Sequence, residues 1–147
     1  MRNRISPQRQ KRSKGAVFIE TALVFVIFVF MLMGAFDFGQ FLFIHQALVD
    51  RARSAARWGA LSDPTNTTAI QNMVLYNQTT APVGATSGIF GLTSDMVQVA
   101  TQDTTTSDNY RLTVLITNYP YEMISPIIGG TYNGPNILIS FPIGRTS

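Results

Sequence analysis

Residues 15–61 read GAVFIETALVFVIFVFMLMGAFDFGQFLFIHQALVDRARSAARWGAL, and this stretch decides the fold. It contains no proline, and from Gly15 to Phe36 it holds a single charge, Glu20. Ala16 to Phe36 is 21 residues, and a helix of about 31 Å matches a hydrocarbon core of about 30 Å. The segment 16–36 is therefore predicted to be a transmembrane helix.

Glu20 is an ionisable group inside this apolar run. A charge in hydrocarbon costs about 3 kcal/mol even on the gentler scales, so such a residue is a functional-site hypothesis by default. The alternative is that Glu20, roughly 6–8 Å from Ala16 along the helix axis, reaches water at the bilayer edge. The residue alone leaves both interpretations open.

The basic residues are concentrated in the leader, residues 1–15. The leader carries six basic groups and no acid, whereas the rest of the chain carries five basic residues against eight acids. Positive charge beside a membrane span marks its cytoplasmic side, so the chain after Asp37 is expected outside. The leader charges are not interleaved with aromatic residues, and no nucleic-acid partner is expected. The residues predicted to set membrane orientation are Arg9, Lys11, Arg12 and Lys14.

The helical period continues beyond the span into residues 37–61, here called the stalk. Apolar and small side chains recur there in steps of three and four, and polar side chains occupy the opposite face. One helix is predicted from about Val17 to Ala60, ended by Ser62-Asp63-Pro64. Small residues late in the stripe predict that the head packs on Ala52–Gly59, anchored by Trp58. The stripe is Phe38, Phe41, His45, Leu48, Ala52, Ala55 and Gly59.

Residues 62–147 are predicted to form a small head with antiparallel strands. Asn66 is expected to cap a short helix over Ala69–Tyr76. Alternating apolar residues predict strands, and a Pro-Gly-rich pattern predicts turns. Three or four strands are too few to stand without the stalk as packing partner. The predicted strands are Met96–Thr101, Tyr110–Asn118 and Ile137–Phe141, with a polar turn at 103–109, a break at Tyr119-Pro120-Tyr121, an unassigned segment Glu122–Ile128 and a turn cluster at Gly129–Asn136.

The chain offers little for catalysis. It has no cysteine, so disulfides and thiolate metal sites are impossible. His45 is the single histidine and lies on the apolar stripe with no second ligand type near it in sequence, which indicates a structural residue rather than a metal ligand. An enzyme needs positioned acid, base or nucleophile groups. We therefore expect no enzyme activity, no cofactor and no metal site.

The N-terminal pattern resembles that of type IV pilins. A basic leader ending in Gly15, an acid at the fifth position after it and a long helix continuing into an amphipathic stalk carry this resemblance. The segments Phe36-Asp37-Phe38-Gly39-Gln40 and His45 to Arg57 are similar to the TadE-like family, minor pilins of the Tad (Flp) pilus. The resemblance implies a pilin-like α+β fold, with a transmembrane helix at 16–36, a stalk at 37–61 and an extracytoplasmic head at 62–147.

The resemblance also implies a mechanism. A prepilin peptidase would cleave between Gly15 and Ala16, and Glu20 would serve recognition or docking of a neighbouring subunit. The implied partners are that peptidase, other pilin or pseudopilin subunits, the assembly platform of the inner membrane and the lipid bilayer. The chain would lie in the bacterial inner membrane with a cytoplasmic N-terminus. The TadE and TadF-type relatives share this pattern, so the paralogue stays open.

An alternative is an unprocessed single-pass membrane protein whose small periplasmic domain binds a ligand or an envelope partner. The mature N-terminus distinguishes the two hypotheses. Cleavage would remove all six leader charges and turn a formal net charge of +3 into −3, since the remainder has five basic residues and eight acids.

Overall fold

The computed structural model describes residues 14–102, 110–123, 125 and 129–143. Its dominant element is helix α1, Lys14–Leu61, which runs for 48 residues. At 1.5 Å per residue α1 is about 72 Å long. The predicted helix from Val17 to Ala60 is confirmed, and α1 begins three residues earlier and ends one residue later than expected.

Helix α1 ends at the predicted Ser62-Asp63-Pro64 turn. The Ser62 N–H donates to the Trp58 carbonyl at 2.9 Å. The Asp63 carboxylate accepts from the Thr65 hydroxyl at 2.6 Å and from the Thr65 N–H at 2.9 Å. These hydrogen bonds lower the pKa of Asp63 below its ordinary value, and the bond from the hydroxyl has the largest effect. The turn reverses the chain and returns it to the stalk.

The short helix predicted after this turn is confirmed as α2, Thr67–Tyr76. The Asn66 side chain caps it by accepting from the Ala69 N–H at 3.0 Å, which satisfies one of the free donors of the first turn. Asn77 ends it in the left-handed conformation, with φ 60°. Helix α2 packs against α1.

Five strands follow, and they form two antiparallel sheets. The first sheet has the order β1-β2-β5, with Val99 and Ile139 on either side of Val114. Leu112, Val114 and Ile116 are buried, which confirms the predicted alternation in β2. The strands are β1 Val97–Gln102, β2 Arg111–Ile116, β3 Pro120–Met123, β4 Gly130–Asn133 and β5 Ile137–Pro142.

The hairpin of β3 and β4 corrects the predicted break at Tyr119-Pro120-Tyr121 and turn cluster at Gly129–Asn136. Pro120 is the first residue of β3, a position at which the missing N–H of proline does not cost the strand a hydrogen bond that it needs. The Tyr121 ring packs on Phe41 of the helix, with centroids 5.0 Å apart, and stacks on Tyr132 at 5.8 Å. These aromatic contacts stabilise two strands of four residues each. The predicted turn at 103–109 lies outside the described residues.

The stalk packs on the first sheet and on α2. Leu48, Ala52 and Ala55 are fully buried in the same cluster as the inward side chains of β2. The helix approaches the head closely at Gly59, where an added Cβ would lie 2.7 Å from Ile70 Cδ1 and 2.8 Å from Leu112 Cδ2. The expected contact between the head and Ala52–Gly59 is therefore present, and it needs the small residues that the sequence supplies.

The lower part of the stripe follows a different register from the prediction. Phe38 is 62% exposed, whereas Asp37 and Ile44 are buried. At about 100° per residue Phe38 lies about 80° from Leu48 around the helix, and Asp37 lies only about 20° from it. The predicted position of Phe38 on the helix face that packs against the head is therefore wrong. Asp37 occupies that face instead.

Candidate functional site

The N-terminal half of α1 has no cover from the rest of the protein. From Gly15 to Phe36 every residue is exposed except Val29, which is half-buried. Helix Gly15–Leu61 is long and apolar enough to cross a membrane. Such an apolar surface is stable only against lipid or against another apolar protein surface. This half of the helix is therefore consistent with a membrane anchor.

The predicted processing and docking residues lie on the first turns of this exposed half. Gly15, Ala16 and Glu20 are all exposed. Within residues 14–102, 110–123, 125 and 129–143 the Glu20 carboxylate has no ion pair or hydrogen bond. The neighbouring Thr21 hydroxyl donates to the Val17 carbonyl at 2.9 Å, so its polar group is satisfied within the helix. Glu20 is thus the group here that still needs a partner in an apolar medium.

The other predicted residues fall into three groups. Those of the leader, Arg9, Lys11 and Arg12, lie outside the described residues, and Lys14 is the first residue of α1. Phe41 and Trp58 are half-buried against the head. The residues of the predicted set that are fully buried beneath the head are Leu48, Ala52 and Ala55.

Asp37 is a contact that sequence reasoning missed. The residue is 7% exposed, and its Oδ2 accepts from the Ser125 N–H at 3.0 Å. Ser125 follows β3, so this hydrogen bond joins the head to the helix just beyond the predicted span. The part of the head nearest that span is here called its lower end. The available signal was spacing, because Asp37, Phe41, Ile44 and Leu48 follow one another in steps of three and four.

The family of TadE-like proteins matches residues 15–57. The match covers 43 of the 147 residues and lies wholly within helix α1. The match supports a TadE-type protein and confirms the resemblance over the segment that contains Glu20 and Asp37. It ends before the head begins. No curated protein and no solved structure matches the chain.

His45 joins helix α1 to the head through a polar contact. Its Nδ1 lies 2.9 Å from the Tyr119 hydroxyl, and its ring stacks on Phe41 with centroids 6.0 Å apart. The Tyr119 side chain is fully buried, and this burial, followed by the charge of Tyr121, raises the pKa of Tyr119. No group of three metal-ligating side chains occurs in the part of the chain that the structure describes. The hydrogen bond gives His45 a structural role.

Replacing Asp37 with alanine is expected to loosen the lower end of the head. The Ser125 N–H would remain buried without this acceptor, at a cost of about 1–3 kcal/mol in the free energy of unfolding. Denaturant unfolding of the full chain in detergent, followed by the fluorescence of Trp58, the single tryptophan, measures the loss.

Asp50→Ala is the matched control, because Asp50 is 61% exposed and its ion pair with Arg53, at 3.6 Å, is also exposed. Exposed pairs contribute about 0–1 kcal/mol. Equal losses from Asp37→Ala and Asp50→Ala would contradict an anchoring role for Asp37. Asp37→Asn keeps an acceptor oxygen and should recover part of the stability.

Proposed function

We propose that this chain is a minor pilin, or pseudopilin, of a Tad (Flp) type pilus. The observation that carries the proposal is one continuous helix that matches the TadE-like family and leaves its N-terminal half uncovered. A simple anchor needs about 20 residues to span a bilayer. A helix of 48 residues with an exposed apolar half and a packed upper half suits a subunit that bundles with others. Its role would be structural, in pilus assembly and hence in surface adhesion and biofilm formation.

The proposed route begins in the bacterial inner membrane, with the leader in the cytoplasm and the head outside. A prepilin peptidase would cut between Gly15 and Ala16 and create an α-amino group at Ala16. The Glu20 carboxylate of a neighbouring subunit would pair with that group as the helices bundle. Pairing offsets the desolvation that makes either charge costly alone.

Cleavage would also change what holds the chain in the membrane. The leader accounts for six positive charges, and its loss changes the formal net charge from +3 to −3. Positive residues on the cytoplasmic side oppose translocation through the bilayer. A subunit without them is easier to extract, and the assembly platform and other pilin subunits would be the partners that take it up.

The N-terminus of the mature protein tests this proposal. Mass spectrometry of the protein purified from cells with a working prepilin peptidase should find Ala16 first and residues 1–15 missing. The same cells without the peptidase provide the control and should retain the leader. An intact leader in peptidase-positive cells would contradict the proposal. That result would favour the alternative, an unprocessed single-pass membrane protein whose head binds a ligand or an envelope partner.

A further inference from the structure

Strand β5 is an edge of the first sheet. It pairs with β2 on one side, and no other strand among the described residues pairs with its second side. The Ile143 N–H donates to the Tyr110 carbonyl at 2.9 Å, one step beyond the β2–β5 register. Because antiparallel hydrogen bonds alternate, Ile139 and Phe141 bond to β2, and Leu138 and Ser140 direct their backbone groups outward. Pro142 shares the outward register, where its missing N–H costs no ladder bond.

A groove runs between this free edge and the stalk. It measures about 500 Å³ and is lined by β5 from Leu138 to Phe141 and by Arg53, Ser54 and Arg57 of α1. Ile139 and Phe141 are half-buried in its floor, on the face of the sheet that carries the buried Val114. An extended backbone placed here would therefore meet free amide groups on one side and two guanidinium groups on the other.

The charge of the groove is positive. Arg53 and Arg57 are exposed, and the acid paired with Arg53 is the exposed Asp50, at 3.6 Å, which does not line the groove. No described residue forms an ion pair with Arg57. Side chains four residues apart on a helix are separated by about 5–6 Å, close to the roughly 7 Å between alternate side chains of a strand. Carboxylates at alternate positions of a strand match this pair.

Charges and prolines also protect edge strands from unwanted pairing. Leu138 argues against that explanation, because it is the first residue of β5 with outward backbone groups and is 63% exposed. A protected edge keeps its exposed side chains polar, whereas an edge that receives a partner gains from an apolar one.

We propose that the β5 edge receives an extended segment of another polypeptide by strand addition. The segment would carry carboxylates at alternate positions, facing Arg53 and Arg57, and would bond to the free groups of Leu138 and Ser140. The backbone bonds give the affinity and the arginines select acidic segments. This site lies on the head side of the chain and does not depend on cleavage after Gly15 or on the proposed pilus.

Fluorescence anisotropy with the full chain in detergent tests the proposal. The probe is a labelled heptapeptide, Thr-Glu-Thr-Glu-Thr-Val-Thr, and the comparison peptide has lysine at both glutamate positions. The acidic peptide should bind at least about tenfold more tightly, and added salt should weaken it, because charge-assisted bonds are screened. Equal binding of the two peptides, or no measurable binding of the acidic one, would overturn the proposal.

Two variants separate strand addition from attraction by charge alone. Ser140→Pro removes one outward N–H without removing a bond to β2, and it should weaken binding about tenfold, as expected for the loss of backbone pairing. Ser140→Ala retains that N–H and should bind as the unaltered protein does. Unchanged binding by Ser140→Pro, with an unchanged unfolding midpoint, would reject strand addition.

The arginines have a matched control in Arg111, which is exposed at the start of β2 and outside the groove. Arg53→Gln with Arg57→Gln should abolish the preference for the acidic peptide, whereas Arg111→Gln should leave it intact. If Arg111→Gln reduces the preference as much as the groove variants do, the attraction belongs to the whole surface and the assigned groove is wrong.

Discussion

Gly134→Ala is expected to unfold or severely loosen the head. The Cβ of alanine at this position would lie inside the ring of Tyr119, whose side chain is fully buried. The rigid ring cannot bend away, and the Gly134 N–H is fixed to the Tyr119 carbonyl at 2.8 Å. Displacing the ring removes a large core side chain together with its bond to His45. We expect a loss of about 3–5 kcal/mol in the free energy of unfolding, as for truncation of a large buried aromatic residue.

Denaturant unfolding followed by Trp58 fluorescence measures this loss. Gly39→Ala is the matched control, since nothing lies within 4 Å of the Cβ added at that helical position. Alanine in an exposed helix is about 1 kcal/mol more favourable than glycine, so the control should be neutral or slightly stabilising. Tyr119→Phe removes only the hydroxyl and should cost about 1 kcal/mol. If Gly134→Ala is about as stable as Gly39→Ala, the Tyr119 ring can adopt another position and the prediction is wrong.

Glu20→Ala is expected to abolish pilus assembly while leaving the protein in the membrane. This prediction rests on the proposed pairing of Glu20 with the α-amino group of Ala16 in a neighbouring subunit. Removing one partner of a buried ion pair costs about 3–5 kcal/mol, which corresponds to about a hundredfold or more in an association constant. Insertion should be unaffected or improved, because the substitution removes the one charge of the span. Pili sheared from the cells and the subunit remaining in membranes are quantified together.

Thr21→Ala provides the control at the adjacent position. The Thr21 hydroxyl is already bonded to Val17 within the helix, so its removal should leave assembly near normal. Normal piliation in cells that carry Glu20→Ala would remove Glu20 from the mechanism, although it would leave the fold unaffected. Loss of the protein from the membrane would instead assign Glu20 a role in insertion or folding.

The helix and the central strand could be predicted because local pattern determines them. Nothing from Gly15 to Leu61 interrupts a helix, and the alternation of Leu112, Val114 and Ile116 indicates which face of β2 is buried. The β3–β4 hairpin could not be predicted in this way. Pro120 and the glycines at 129 and 130 are typical of turns, and the strands are stabilised by the packing of Tyr121 on Phe41. That contact joins residues 80 positions apart in the sequence.

Asp37 shows the same division at the candidate site. An acid after an apolar run is typical of a membrane boundary, and that pattern predicts solvent exposure. The structure buries Asp37 because Ser125, 88 residues later, donates its N–H to the carboxylate. Periodicity could have placed Asp37 on the packing face. The identity of its partner depends on the path of the whole chain between them, which no local pattern contains.

The unbroken course of α1 has a mechanical consequence. The head is fastened to the helix near Asp37 and again near Gly59, so it cannot swivel about a single joint. Rotation of the N-terminal half of α1 about its axis therefore rotates the head through the same angle, and tilting of α1 displaces the head sideways. In a bundle of such helices, a shift of one residue in the packing of α1 against its neighbours would move the head by about 1.5 Å along the helix axis and rotate it by about 100°. In the proposed membrane-anchored subunit, the packing of residues 15–36 would therefore determine the direction in which the head presents its surfaces.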